Sequence, residues 1–204
     1  MRILLSLLAI SLLGLPAFAH DLQLAVVDAA GEPVANAIVL VPASKDLQAP
    51  RSFAWPSVME QKNIQFSPYI LVAPVGSEVQ FPNRDRVRHH VYSFSKGNRF
   101  ELKLYGREET RSIEFDATGI VAVGCNIHDN MIGYIRIVDT PFALRTDADG
   151  KAILTDLPMS TGNVTVWHPD LSGGKDVTTA FDTRVSEMTV TMSGSLAKSS
   201  RTPH

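Results

Sequence analysis

The sequence predicts an all-β protein, and three observations carry that reading. Between Phe66 and Val138, short apolar or alternating runs follow one another, separated by Gly76, Pro82, Gly97, Gly106 and Gly119. The stretch before it, residues 22–41, reads as strand, turn, strand, and the same theme returns over residues 142–169. Short strands at this spacing are the pattern of a Greek-key sandwich.

The elements can be justified in chain order. Arg2 precedes an apolar run over residues 3–15, and Ala17-Phe18-Ala19 supplies the small residues that a signal peptidase needs. Residues 1–19 are therefore expected to be a secretory signal peptide, too short and wrongly flanked for a membrane span, with cleavage after Ala19 and a mature protein that begins at His20. No cysteine stands at the cleavage point and no later stretch is long and apolar, so no membrane anchor is expected. The expected location is the periplasm. In an oxidising compartment a single unpaired cysteine needs a reason, and metal ligation is one.

After cleavage, residues 22–27 form a strand, Gly31 and Pro33 punctuate a turn, and the β-branched run over residues 37–41 forms a second strand. Residues 42–56 carry three prolines and read as a surface connection. Strands are then expected over residues 70–73, 78–81, 90–94, 100–104, 111–115, 120–124 and 133–138. Later strands are expected over 142–146, 151–154 and 163–169. Asp147, Asp149 and Gly150 fit a hairpin turn better than a calcium loop, whose other ligands are missing. Residues 193–204 are small and polar and are expected to be a disordered tail. With 204 residues, 45% of them apolar, the chain has room for one large or two small β domains. Its formal net charge of −2 argues against a nucleic-acid partner.

The chemistry concentrates in residues 124–134, where Cys125, His128 and Met131 follow one another at intervals of three. Thiolate, imidazole and thioether are soft or borderline donors. Two imidazoles and a thiolate with a weak axial methionine form the donor set of an electron-transfer copper site. The second imidazole must come from elsewhere, and the doubled His89 and His90 lie upstream after Asn83.

At these residues the chain resembles the cupredoxins, the small blue copper proteins, and most closely their amicyanin and plastocyanin branch. The family pattern of Asn, His-x-Val, then Cys-x-x-His with a following Met falls on Asn83, His89 with Val91, Cys125, His128 and Met131. The resemblance implies a cupredoxin domain over residues 58–138 with one type 1 copper. His89, Cys125, His128 and Met131 would bind it, Asn83 would brace the loop bearing the cysteine, and His90 would take the position beside the ligand. It also implies single-electron transfer with redox protein partners, and leaves the oligomeric state open. Proteins of this appearance include some tied to methylamine use, a link that nothing in these residues encodes.

The flanking stretches resemble a carboxypeptidase regulatory-like, or transthyretin-like, β-sandwich of immunoglobulin-like architecture. Its first strands match residues 22–41 and its later ones residues 142–169. The resemblance implies one sandwich split between residues 20–57 and 139–192, with the cupredoxin unit inserted. Arg84, Arg86 and Arg88 alternate along the chain, with Lys96 and Arg99 soon after, as a basic face for an acidic redox partner would. The six histidines hold no His-x-His cluster for a trinuclear oxidase centre, and no other catalytic motif is present. Besides an electron carrier, the sequence allows a periplasmic copper carrier or store, or a cell-envelope binding module with a structural metal. A terminal His20, with His168, offers a less favoured second copper position.

Overall fold

The computed structural model describes residues 20–42, 52–159 and 161–196. The expected signal peptide, part of the 42–56 connection and residues 197–204 lie outside the described residues. Among the described residues all regular structure is β apart from one short 3₁₀ turn, Ser172–Gly174.

Period-two alternation builds β1 (His20–Val27), which buries Leu22, Leu24 and Val26 and turns Asp21 and Gln23 outward. The all-apolar β2 (Ile38–Leu40) is buried throughout. There follow β3 (Glu60–Lys62), β4 (Gln65–Ser67), β5 (Ile70–Pro74), β6 (Ser77–Pro82), β7 (His89–Ser93), β8 (Phe100–Tyr105), β9 (Thr110–Phe115), β10 (Gly119–Cys125) and β11 (Ile132–Val138). The chain closes with β12 (Ala143–Arg145), β13 (Lys151–Leu157), β14 (Thr161–Trp167), β15 (Val177–Asp182) and β16 (Glu187–Thr191).

Strand pairing sorts these elements into two sets. The first two and last five strands form sheets β13-β1-β16 and β12-β2-β14-β15, whose facing sides enclose a core that includes Leu24, Val39, Leu154 and Val166. The intervening strands form the sheet β5-β11-β10-β7-β8 and the pairs β6-β9 and β3-β4. Parallel bridges from Val58 to Gln80 and from Gln61 to Asn83 set β3 beside β6. Between these layers lies a second core that includes Phe81, Val91, Phe115, Val121 and Ile135.

The two sets meet along β5. That strand reads Ile-Leu-Val-Ala because it is buried on both faces: Leu71 and Ala73 enter the second core, while Ile70 and Val72 join Ile38, Leu40, Val138 and Trp167 in a third. Arg145 reaches across to donate to the Ile70 carbonyl at 3.3 Å, and Arg136 pairs with Asp176 at 3.0 Å.

Several elements differ from the sequence expectation. The β3–β4 hairpin has no glycine in its turn and its strands are three residues each, too short to show a period. Neither β15 nor β16 stands out in the sequence, because each buries a single residue, Phe181 and Val190, among exposed and half-buried ones. Residues 147–150 join strands of two different sheets rather than making a hairpin, and Asp147 Oδ1 is taken by the amides of Asp149 and Lys151 at 3.0 and 2.8 Å. The connection before β3 is anchored at its end: Phe53 stacks on Trp55 at 4.6 Å, and Trp55 Nε1 donates to the Val72 carbonyl at 2.9 Å. Ser193 to Leu196, placed in the tail by their composition, are held by hydrogen bonds. Gly194 accepts from Ala29 N–H at 2.9 Å and Leu196 N–H donates to Asp28 at 3.3 Å.

Thr146, buried at the end of β12, accepts from Ala37 N–H at 2.9 Å and donates to the Val34 carbonyl at 2.7 Å. Thr146→Val keeps the shape and leaves both backbone groups without that partner. The expected cost is about 1–3 kcal/mol, read as a lower urea midpoint at unchanged slope. An unchanged midpoint would mean that the hydroxyl contributes nothing to holding the two segments together.

Candidate metal centre

The centre is assembled from two neighbouring strands and one loop. Along β7 the burial alternates, so His89, Val91 and Ser93 face the core while His90 and Tyr92 face out. On β10, Val121, Val123 and Cys125 face the same core, and Cys125 lies opposite Val91 across the antiparallel pair. Period two thus decides between the doubled histidines. His89 turns inward with no exposed surface, and His90 turns outward. There His90 Nε2 lies 2.9 Å from Glu101 Oε1, close enough for an ion pair but without hydrogen-bond alignment.

The loop between β10 and β11 is closed by its own backbone. Met131 accepts from Cys125 N–H at 3.2 Å and donates its own N–H to the His128 carbonyl at 2.9 Å. Asn126 N–H donates to the His90 carbonyl at 3.0 Å, which ties the loop to β7. His128 is consequently held at a tip with its ring toward the cysteine. Cys125 Sγ lies 3.5 Å from His128 Nδ1 and 3.7 Å from His89 Nδ1, and all three donor atoms fall within 4.8 Å of one another. The imidazole centroids are 5.0 Å apart with the rings tilted by 56°. Met131, 1% exposed, belongs to the same apolar cluster as Cys125.

These separations suit a shared ion. Metal-to-donor distances of about 2.0–2.3 Å on a trigonal centre put neighbouring donors about 3.5–3.7 Å apart. A thiol, two imidazoles and a thioether, three of them buried, form a set that selects a soft or borderline metal. Cys125, His89 and His128 would hold such an ion, with Met131 as the weak further donor.

A β-bulge supports this arrangement from behind. His89 pairs with Tyr105 but Val91 with Leu102, so β8 shifts register between them. The shift turns Leu104 outward and brings Tyr105 fully inside. The Tyr105 hydroxyl lies within reach of Gln61 Oε1 at 2.6 Å and the Phe81 carbonyl at 2.8 Å, and burial pushes its ionisation up. Asn83 donates to the carbonyls of Val87 and Tyr105 at 2.9 and 3.2 Å and accepts from Asp85 N–H at 2.8 Å. Its side chain therefore braces the turn that leads into His89, not the cysteine loop. The reason is that the Asn83 amide is itself fully buried, so its donor and acceptor atoms must find partners, and the turn and the Tyr105 carbonyl supply them.

Sequence reasoning passed over Asp85, four residues before His89, whose carboxylate Oδ2 lies 2.8 Å from His89 Nε2. Burial raises its ionisation, but the Ile64 and Asn63 amides and the His89 ring outweigh it and hold it below the usual carboxylate range. For His89 burial is the largest influence and pushes its ionisation down, more than Asp85 pulls it up. The ring is thus neutral near pH 7, as a ligand must be. An acidic residue at a four-residue interval before a histidine was the available signal, but along an irregular turn spacing implies no contact.

The basic residues do not form one free patch. Arg84 pairs with Glu108 at 2.7 Å, Arg88 donates to the Leu104 carbonyl at 3.2 Å, and Arg99 lies over the Phe94 ring at 5.7 Å. Arg84, Arg86 and Arg107 line a surface depression of about 350 Å³ together with Asp85, Ile64 and Val87. Ile127, on the loop that carries His128, and Ile132, at the start of β11, are about half exposed. His20 opens β1 and His168 follows β14, in different sheets.

No protein-family model matches the chain, and no curated protein does so either. Among solved structures it is similar to a copper-containing nitrite reductase from Thermus scotoductus SA-01, at 26% identity and a TM-score of 0.39, over 47% of this chain and 25% of that one. A purple cupredoxin from Nitrosopumilus maritimus is similar at 22% identity and a TM-score of 0.35, over 39% of this chain and 95% of that one. A reduced variant of amicyanin is similar at 22% identity and a TM-score of 0.37, over 48% of this chain and 97% of that one. The chain therefore spans about a quarter of the length of the nitrite reductase.

The donor geometry makes a paired prediction. In copper-loaded protein Cys125→Ser should abolish the intense thiolate-to-copper(II) absorption, whereas Met131→Gln should retain it and lower the potential. A spectrum unchanged by the first substitution would remove Cys125 from the ligand set.

Proposed function

We propose that this is a periplasmic type 1 copper protein of the cupredoxin kind that carries single electrons between redox partners. The observation that supports it most is the buried thiol of Cys125 flanked at 3.5 and 3.7 Å by the Nδ1 atoms of His128 and His89, with Met131 packed in the same core. Copper bound there would supply a one-electron couple between its +1 and +2 states. Cys125 enters as the thiolate and is the strongest donor. His89 sits at the start of a strand and His128 on a loop closed by its own backbone hydrogen bonds, so the site resists change when the charge changes, which keeps reorganisation small. Met131 tunes the site as a weak donor. His128 alone of the four is not fully buried and forms the exit for the electron, with Ile127 and Ile132 as an apolar contact around it.

The split organisation belongs to the same reading. Strands within residues 60–138 pair only with one another, and the strands before and after them likewise, which supports a host sandwich interrupted by the copper domain near residues 58 and 139. Host termini that lie close together tolerate such an insertion. The partners are redox proteins, and an acidic one would suit the arginines around Ile64 and Val87.

The deciding experiment is to express the protein from His20 onward, load it with Cu(II), and record visible absorption with electron paramagnetic resonance. A strong thiolate charge-transfer band and a narrow parallel hyperfine splitting are expected. A colourless protein that still binds copper would replace electron transfer with copper carriage or storage, and no binding would leave the host sandwich as the working part.

A further inference from the structure

The ligand motif does not account for Asp85. The His89 ring is gripped from both sides: Nδ1 faces Cys125 Sγ at 3.7 Å and Nε2 faces Asp85 Oδ2 at 2.8 Å. The His89 side chain has no exposed surface and that of Asp85 only 12%. The carboxylate also accepts the backbone N–H groups of Asn63 and Ile64 at 2.6 and 3.0 Å, and the Asp85 N–H is held by Asn83 Oδ1 at 2.8 Å. The β3–β4 turn and both ends of the 83–89 stretch thus converge to keep one carboxylate in place.

The segment that supplies the amides is strained. Asn63 and Ile64, in the two-residue turn between β3 and β4, both have φ of 57°. Asparagine tolerates the left-handed region, but a β-branched residue there is strained. The conformation points both N–H groups at Asp85, a use that can offset the strain.

An ionised carboxylate accepts hydrogen bonds and donates none, so the Asp85 contact places the ring proton on Nε2 and leaves the Nδ1 lone pair toward Cys125. We infer that Asp85 is a positioning residue that fixes the His89 tautomer and, through its nearly buried negative charge, favours the higher oxidation state of the metal. A neutral carbonyl acceptor could orient the ring equally well, but a full negative charge makes the ligand more basic than a neutral acceptor does and lowers the potential further. The second half of the inference rests on the copper reading above; the first half concerns the metal-free protein.

The test therefore has two readouts on the protein expressed from His20 onward. In metal-free protein, the ¹⁵N shifts of the imidazoles should show His89 protonated at Nε2. Asp85→Asn keeps an oxygen acceptor and removes the charge. It should preserve that tautomer while reducing the preference for Cu(II) over Cu(I) about tenfold, an upward shift in potential of about 59 mV. Asp85→Ala should lose the tautomer preference as well. If Asp85→Ala does not fold, the wild-type tautomer and the Asn variant carry the test. His89 protonated at Nδ1 in the wild type would overturn the positioning role, and an unchanged potential in Asp85→Asn would overturn the charge effect. A wild-type protein that takes up no copper would sink the function reading and with it the charge effect, whereas the tautomer measurement would still judge the positioning role.

Discussion

The register between β7 and β10 is the constraint on which the centre depends. Cys125 opposite Val91 and Gly124 opposite Tyr92 set which faces of the two strands share the core. A slip of one residue would turn His89 to solvent and bring His90 inside, and would break the line from imidazole to thiol. The apolar neighbours resist such a slip, since Val91 would have to leave the core that it shares with Val121 and Val123. Hydrophobic burial, which has no directional preference of its own, thereby places a directional set of donors.

Around that register the polar groups are satisfied in a connected series. The bulge in β8 brings Tyr105 inside, Tyr105 reaches Gln61 and Phe81, and Asn83 links the Tyr105 carbonyl to the turn that carries Asp85 and leads to His89. Each of these groups is buried or nearly so, and an unpartnered member would cost about as much as a lost hydrogen bond in the core. Such a network is rigid because no member can move without exposing another's need for a partner. A rigid shell is what a ligand set needs if its geometry is to hold when the charge at its centre changes.

The flanking strands β1, β2 and β12 to β16 supply none of the ligands, yet they bear on the sheet that carries them through β5 and β11. Ile70 and Val72 pack outward against Trp167 and Ile38, while Leu71 pairs with Ile135 on the way to the inner core. The sheet that carries Cys125 is thus covered on its β5 side by the flanking strands. The β7 side stays open, and there Tyr92 and Phe94 pack together at 5.0 Å.

What the sequence determined by itself was whatever depends on local period and donor chemistry. The all-β class, the strands from 70 to 138 to within about a residue at either end and the close grouping of Cys125, His128 and Met131 on one loop were legible, because alternation, glycine and proline breaks and a single cysteine act over short distances. The β3–β4 hairpin was not legible, since two three-residue strands show no period and Ile64 occupies a conformation its type disfavours. Only the tertiary structure decided that Asn83 braces the approach to His89 and that Asp85 faces its ring. It also decided that Tyr105 turns inward through a bulge. These choices depend on buried polar groups finding partners across distant segments, and no spacing along the chain encodes which partner lies within 3 Å.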